Sequence, residues 1–277
     1  MNTKQLYLVF MKKTLPLLFL LISIGCLLSF GFKSDEYRYV PNTSFSTSEV
    51  LTYRVHYGLV NAAEAVMEVS DKYYFLNGRP CYKIDIYGKT TGLFDLMVRV
   101  RDHWGAYVDT ASIVPHKAYR HIEEGKYIRN EVIKFDHPRD MATVLNMDKA
   151  NKELKNQATH KVPENILDLV GGYYFLRTLD YSAYKNGDVM NMQGFFDAKI
   201  HDVQIRFLGR EEVKTRLGTF ISIVIAPVLP ENDFFAKGNP VKVWISDDLN
   251  KVPLKIKAEL AIGALEIDIK DMKNLRN

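Results

Sequence analysis

From Asn239 to Asp271 apolar and polar residues change places one for one. Val241, Val243 and Ile245 alternate with Lys242, Trp244 and Ser246, and Leu254, Ile256, Ala258 and Leu260 alternate with Lys255, Lys257 and Glu259. Beyond Gly263, Leu265, Ile267 and Ile269 alternate with Glu266, Asp268 and Lys270. A period of two places successive side chains on opposite faces of a strand, so the chain ends in an antiparallel meander broken at Asp247-Asp248-Leu249-Asn250.

The same alternation marks Leu51 to Tyr57, Ala63 to Val69, and Tyr82 to Lys89 behind the hairpin dipeptide Asn77-Gly78. It returns at Ile113 to Ile122, Tyr127 to Phe135 and Met141 to Leu145, and after residue 188 at Val189 to Phe196, Val203 to Leu208 and Gly218 to Val228. Phe220 to Ala226 is apolar on both faces, which predicts a central strand covered by the helix on one side and the sheet on the other. Thr90 to Met97 reads as an apolar connection, and residues 146–162 as a polar loop. One helix is predicted, capped at Asn165 with Asp168 three residues on, its stripe formed by Ile166, Leu169, Val170, Tyr173 and Leu176. Gly171-Gly172 in its middle predicts close approach to another backbone.

Many short strands and one helix predict a mainly β chain: a strongly curved antiparallel sheet or incomplete β-barrel with one amphipathic helix packed against it. The expected organisation is a signal peptide (1–31), a polar linker without period (32–48) and a single β-rich domain (49–277).

The leader rests on Lys4, Lys12 and Lys13 ahead of an uncharged apolar run, with Ser29 and Gly31 placing cleavage after Gly31. Met11 opens a more ordinary leader than Met1. An uncleaved anchor and a lipoprotein acylated at Cys26 are the alternatives. An exported, periplasmic or envelope-associated protein follows, with membrane proximity through its N-terminus.

The chain carries 37 basic and 33 acidic residues. Without residues 1–31 the count is 34 to 33, so no basic field for nucleic acid remains. Cys81 is then the sole cysteine, and no intrachain disulfide forms; a buried apolar thiol is expected.

Trp104 is followed by Asp109 and Val114-Pro115-His116-Lys117, and Trp244 by Asp247 and Val252-Pro253-Leu254-Lys255. Each reads as strand, turn, and a strand entered by Pro. The echo is consistent with an internal duplication and equally with coincidence among common hairpin signals. On Val50 to Asp71, Thr90 to Asp109, Pro115, Asp168 to Arg177 and Trp244 to Gly263, the chain resembles the exported bacterial family of domain of unknown function 3108. That resemblance implies no activity. The Trp-turn-Pro-basic hairpin is also similar to the unit of periplasmic lipoprotein carriers, which implies, at the level of fold alone, a half-open barrel under a helical lid.

No motif for catalysis, metal or cofactor appears. The seven histidines (56, 103, 116, 121, 137, 160 and 201) show no metal-ligand spacing, and no nucleophile elbow or phosphate loop occurs. The expected site is therefore a ligand wall between helix and sheet: Trp104, Tyr173, Tyr174 and Trp244 as aromatic lining, with Arg54, Arg99 and Arg101 on one face for an acidic head group. Three functions follow in order: an envelope protein binding a lipophilic ligand; an envelope structural or interaction protein with a filled core; and a hydrolase with a dispersed site.

Overall fold

The computed structural model describes residues 37–228 and 238–277. The leader, its cleavage site, Cys26 and Met11 lie outside the described residues. From Arg38 to Asn277 the chain forms one compact unit. Its strands are β1 (Val50–Tyr57), β2 (Val60–Leu76), β3 (Arg79–Thr90), β4 (Arg101–Asp109), β5 (Pro115–Glu124), β6 (Tyr127–Asp136), β7 (Met141–Met147) and β8 (Leu154–Lys161), then β9 (Val189–Phe196), β10 (Lys199–Thr215), β11 (Gly218–Pro227), β12 (Val241–Ser246), β13 (Pro253–Glu259) and β14 (Ala264–Lys273). Two helices join them, α1 (Gly92–Met97) and α2 (Leu169–Leu176).

All strand pairings run antiparallel in one open sheet, ordered β8-β7-β6-β5-β4-β3-β2-β1-β14-β13-β12-β11-β10-β9. Each half is a meander, and the pairing of β1 with β14 joins the two, with Tyr53 opposite Ile269 and Val55 opposite Ile267. The sheet does not close by hydrogen bonds between β8 and β9. Instead β9 reaches across the inner face: Phe195 meets Phe135 at 6.3 Å, and Phe196 stacks on Trp104 at 6.0 Å. Beside it Asp197 holds both Arg120 and Arg129. A single parallel bridge, Leu167 to Gly194, pairs the free edge of β9.

The predicted fold class is the observed one, but several details differ, among them α1 in the stretch read as an apolar connection. Residues 38–48 are not a linker: Ser44 and Phe45 are fully buried, and Phe45 sits between Tyr82 (5.2 Å) and Tyr174 (4.7 Å). Asn42 shapes that segment, accepting from the backbone N–H groups of Ser44 and Phe45. A short irregular stretch held by such local bonds has no period to read.

The stretch 146–162 contains β8, whose side chains are almost all exposed. An edge strand with two wet faces carries no apolar alternation. Asp168, not Asn165, caps α2, accepting from Gly171 N–H at 2.9 Å and Val170 N–H at 3.2 Å. A Cβ on Gly171 would come within 2.7 Å of that same carboxylate, and one on Gly172 within 3.3 Å of Met192 Cε. The glycines thus make room for the cap and a side chain rather than for a neighbouring backbone.

β11 is third from the sheet edge rather than central, although both its faces are covered as expected. Ile223 and Ile225 pack with Tyr181 and Phe207, while Val224 lies with Trp244 on the other side. Tyr181, in the chain following α2, supplies most of the first cover, with Leu176 of α2 packed against the same cluster.

The echo between the two Trp-containing hairpins is structural. Asp109 N–H bonds Val114 O at 2.9 Å ahead of Pro115, and Ser246 N–H bonds Val252 O at 2.8 Å ahead of Pro253. In the first turn Asp109 accepts from the N–H groups of Ala111 and Ser112; in the second that role falls to Asp248, accepting from Asn250 and Lys251, and not to Asp247, which pairs with Arg210.

Candidate functional site

β1, β2, β3 and β4 present Tyr53, Ala65, Met67, Ile86 and Trp104 to the inner face, and β13 and β14 add Ile256 and Ile267. Across from them α2 supplies Leu169, Val170 and Tyr173. Together these ten residues line an open cavity of about 280 Å³. The inner-face assignment follows from register: Tyr53 stands opposite Ala65, Met67 opposite Ile86, Ile86 opposite Trp104, and Ile256 opposite Ile267. The small Ala65 leaves space at the centre of the sheet that a larger strand residue would fill.

The cavity holds one polar feature. Tyr53 and Tyr173 bring their hydroxyls to 2.9 Å from each other. Burial raises both phenols above the ordinary range, so both stay neutral. One hydroxyl must donate to the other, which leaves the acceptor's own proton directed elsewhere.

A buried polar network lies toward one end of the sheet, at the C-terminal end of α2. Arg177, at the C-terminal end of α2, is fully buried and donates to Glu49, to Ser44 O at 3.3 Å and to Asn250 O at 3.0 Å. Asn250 in turn exchanges hydrogen bonds with Asn277, and Asn277 Nδ2 donates to Thr43 O. First strand, helix end, β12–β13 turn and C-terminus are thereby tied into a floor. Toward the opposite end Val55, Ala63, Gly88, Ala258 and Leu265 remain half-buried.

Of the expected aromatic wall, Trp104 and Tyr173 line the cavity. Tyr174 does not: it is fully buried against Phe45 behind the floor. Trp244 does not either. It alternates with Val243 and Ile245 and so points to the outer face, where its Nε1–H donates to Glu211 Oε1 at 2.6 Å. The outer part of the β10–β11 hairpin folds there into contact with β13 and β14.

The three arginines do not line the cavity and do not converge on one another. Arg54 is on the face opposite Tyr53 and pairs with Asp268 at 3.3 Å. Arg101 grips Asp95 at 2.7 Å, and Arg99 is exposed at the end of the sheet. Period-two parity gave a shared face for each strand but not which face was inner.

The arginine that does face inward is Arg120, on β5. It ion-pairs with Glu131 at 3.0 Å and lies over the rings of Trp104 and Phe196 at 5.3 and 4.8 Å. The sequence reading missed it; the available signal was that Arg120 shares its side of β5 with the apolar Ala118 and Ile122. Close by is Asp168, whose carboxyl burial pushes up to about 6, against the opposing pull of the Gly171 and Val170 N–H groups.

The aspartate–histidine pairs are on the outer face or in turns. Asp85 accepts from His103 Nε2 at 2.7 Å, from Lys83 at 2.8 Å and from Tyr119. Burial alone would raise its pKa, but these three partners hold it at about 2. His116 and Arg79 pair with the buried Asp109. His56, Glu266 and Asp268 are near enough to share a cation, but Lys255 and Arg54 already supply their countercharge. Burial pushes the Cys81 thiol up to about 12, so it is an inert core group.

A family model described as protein of unknown function (DUF3108) matches residues 52–270, nearly the whole sheet. The chain belongs to this family. Among solved structures it is similar to the β-barrel-like protein of domain of unknown function DUF1849 from Brucella abortus. That pair has a TM-score of 0.50 and 9% identity, covering 82% of this chain and 97% of the other. An exported protein of Bacteroides fragilis with a YmcC-like fold shares 10% identity at a TM-score of 0.35, over 86% of this chain and all 100% of its own. A lipoprotein structure from Parabacteroides distasonis shares 9% at 0.28, with the same 86% and 100% coverage. At 9% identity the likeness to the Brucella abortus protein is one of fold. No curated protein matches the chain.

Proposed function

We propose that this member of the DUF3108 family is an exported, non-enzymatic envelope protein that holds the acyl portion of a lipophilic ligand between α2 and the inner face of the sheet. The observation that carries this reading is the 280 Å³ cavity, walled by apolar side chains and two tyrosines. An apolar void of roughly 150 Å³ already accepts benzene, so this one has room for a ring system or a short run of methylenes. Burial of apolar ligand surface supplies the affinity, and the spare hydroxyl proton of the Tyr53–Tyr173 pair offers a hydrogen bond to a ligand oxygen. The lysine-led apolar run of residues 1–31 supports the exported address.

The test is native mass spectrometry of the exported chain recovered gently from a bacterial envelope, with organic extraction of whatever leaves on denaturation. The reading expects a co-purifying lipid-class mass that is absent from an Ala65→Phe variant, in which the added ring occupies the cavity. A clean apo mass, together with no uptake of added fatty acid or phospholipid, would overturn it in favour of an interaction protein with an unfilled core defect.

A further inference from the structure

Three connections lie side by side at the end of the sheet opposite the Arg177 floor. The β1–β2 turn has the β13–β14 turn on one side, where Tyr57 Oη–H donates to Ile262 O at 2.8 Å. On its other side is the approach to α1, where Thr91 N–H donates to Ala62 O at 2.9 Å. Their tips carry Leu59, Leu93, Leu96, Met97 and Ile262, with exposures from 71% to 104%. α1 buries none of its residues. A single exposed leucine is ordinary, but five large apolar side chains on three adjacent tips form a patch.

The charges around the patch indicate what covers it. The acid within these tips, Asp95, is bound through both oxygens by Arg101, at 2.7 and 3.0 Å, and by Thr90 Oγ1 at 2.7 Å. Those hydrogen bonds hold its carboxyl at about 2 although it is at the surface. At the next level Glu64 is matched by Lys270 at 2.6 Å and Lys89 at 3.5 Å, and Glu259 by Lys257 at 3.1 Å. Arg99 is exposed immediately behind the α1 tip, and Tyr57 is part-exposed at the base of the β1–β2 turn. Apolar tips whose own acid, Asp95, is matched, as are Glu64 and Glu259 behind them, then a tyrosine and a cation one layer back, follow the order of chemistry across a lipid surface: acyl boundary, carbonyl region, anionic head groups. Glu124 of the neighbouring β5–β6 turn, bridged to Val100, lies beside Arg99 on the flank. The apolar residues stand on separate turns and a two-turn helix, which suits a fluid surface more than a shaped protein groove.

We propose that this rim docks on the surface of a lipid bilayer, with Leu59, Leu96, Met97 and Ile262 entering the acyl boundary and Arg99 at head-group level. The proposal stands on the exposed rim and does not depend on the cavity being filled.

Photocrosslinking in the envelope of an expressing bacterium tests it, with benzoylphenylalanine placed in turn at positions 59, 96 and 262 of the full chain and at position 77, at the opposite end of the sheet, as control. Lipid adducts on the peptides carrying 59, 96 and 262, at least tenfold above position 77, are the expected result. Adducts to a protein at those positions, or no adduct above the control, would overturn the proposal. Flotation with phosphatidylethanolamine–phosphatidylglycerol vesicles reads the same surface: Leu59→Asp with Leu96→Asp and Ile262→Asp should lower the bound fraction severalfold. These side chains are exposed, so an unchanged melting transition separates lost docking from lost folding, and undiminished flotation by the folded variant would count against the rim.

Discussion

Arg177 and Glu49 face each other through two hydrogen bonds, Nη1 to Oε1 at 2.6 Å and Nη2 to Oε2 at 2.8 Å, with both side chains fully buried. The pair joins the end of α2 to the residue just before β1, and it keeps Arg177 charged despite the cost of burial. Removing one partner leaves the other charged and unpaired in a dry site. Arg177→Met or Glu49→Gln should each cost about 3–5 kcal/mol in urea unfolding, whereas Glu49→Met combined with Arg177→Met should recover much of it. Additive losses in the double variant would show that the pair is not the unit of stability.

The Tyr53–Tyr173 contact predicts a smaller, asymmetric effect. Tyr173→Phe leaves the Tyr53 hydroxyl buried without its partner at 2.9 Å. The expected cost is about 1–3 kcal/mol, with the Tyr53→Phe, Tyr173→Phe double variant closer to the parent than either single one. Loss of bound ligand oxygen contacts would lower affinity in all three, measured by titration of the identified ligand.

Two carboxyl groups predict opposite pH dependences. In the folded chain Asp168 is raised to about 6, above its unfolded value of about 4. Its contribution to stability is fully present below pH 4 and is lost as pH rises through 6, a change of roughly 2–3 kcal/mol. Asp168→Asn keeps a capping acceptor without the charge, so it should flatten that part of the profile and melt higher than the parent at pH 8. Asp85 is lowered to about 2, and its contribution is present above pH 4 and lost as pH falls through 2. Asp85→Asn should therefore remove part of the acid limb. Melting temperatures across pH 2–8 for parent and both variants check the two signs together.

Gly105 is the condition for Asp85's third partner. A Cβ there would overlap the Tyr119 ring, which crosses β4 at this point to reach the carboxylate. Gly105→Ala should displace Tyr119 and cost about 1–3 kcal/mol, and the Asp85 pKa measured by NMR should move up toward its ordinary range. An unmoved Asp85 would show that Tyr119 adds little to the site.

The strands were legible where apolar and polar residues alternate: β12, β13 and β14 fall on the alternating stretches between Val241 and Lys270, and Asn77-Gly78 turns with both residues at positive φ. β8, at a wet edge, and the packed segment around Phe45 gave no such pattern. Trp104 and Tyr173 were readable as cavity wall because each is an aromatic on a half-buried element. Tyr174 is adjacent to Tyr173 in sequence, yet the helix turns it about 100° away, onto Phe45.

By itself the sequence determined the class of the molecule: period-two alternation over most of its length, one short apolar helix, a near-neutral charge balance and the leader-like run at its front. The tertiary structure decided which face is inner. That choice depends on the pairing of β1 with β14, on the sheet's curvature and on where α2 crosses it, all contacts between residues far apart in the chain. It turned Arg54 and Trp244 outward and Arg120 inward, and it left the space beside Ala65 empty, because parity along a strand fixes relative sides while only packing between strands and helix assigns one of them to the interior.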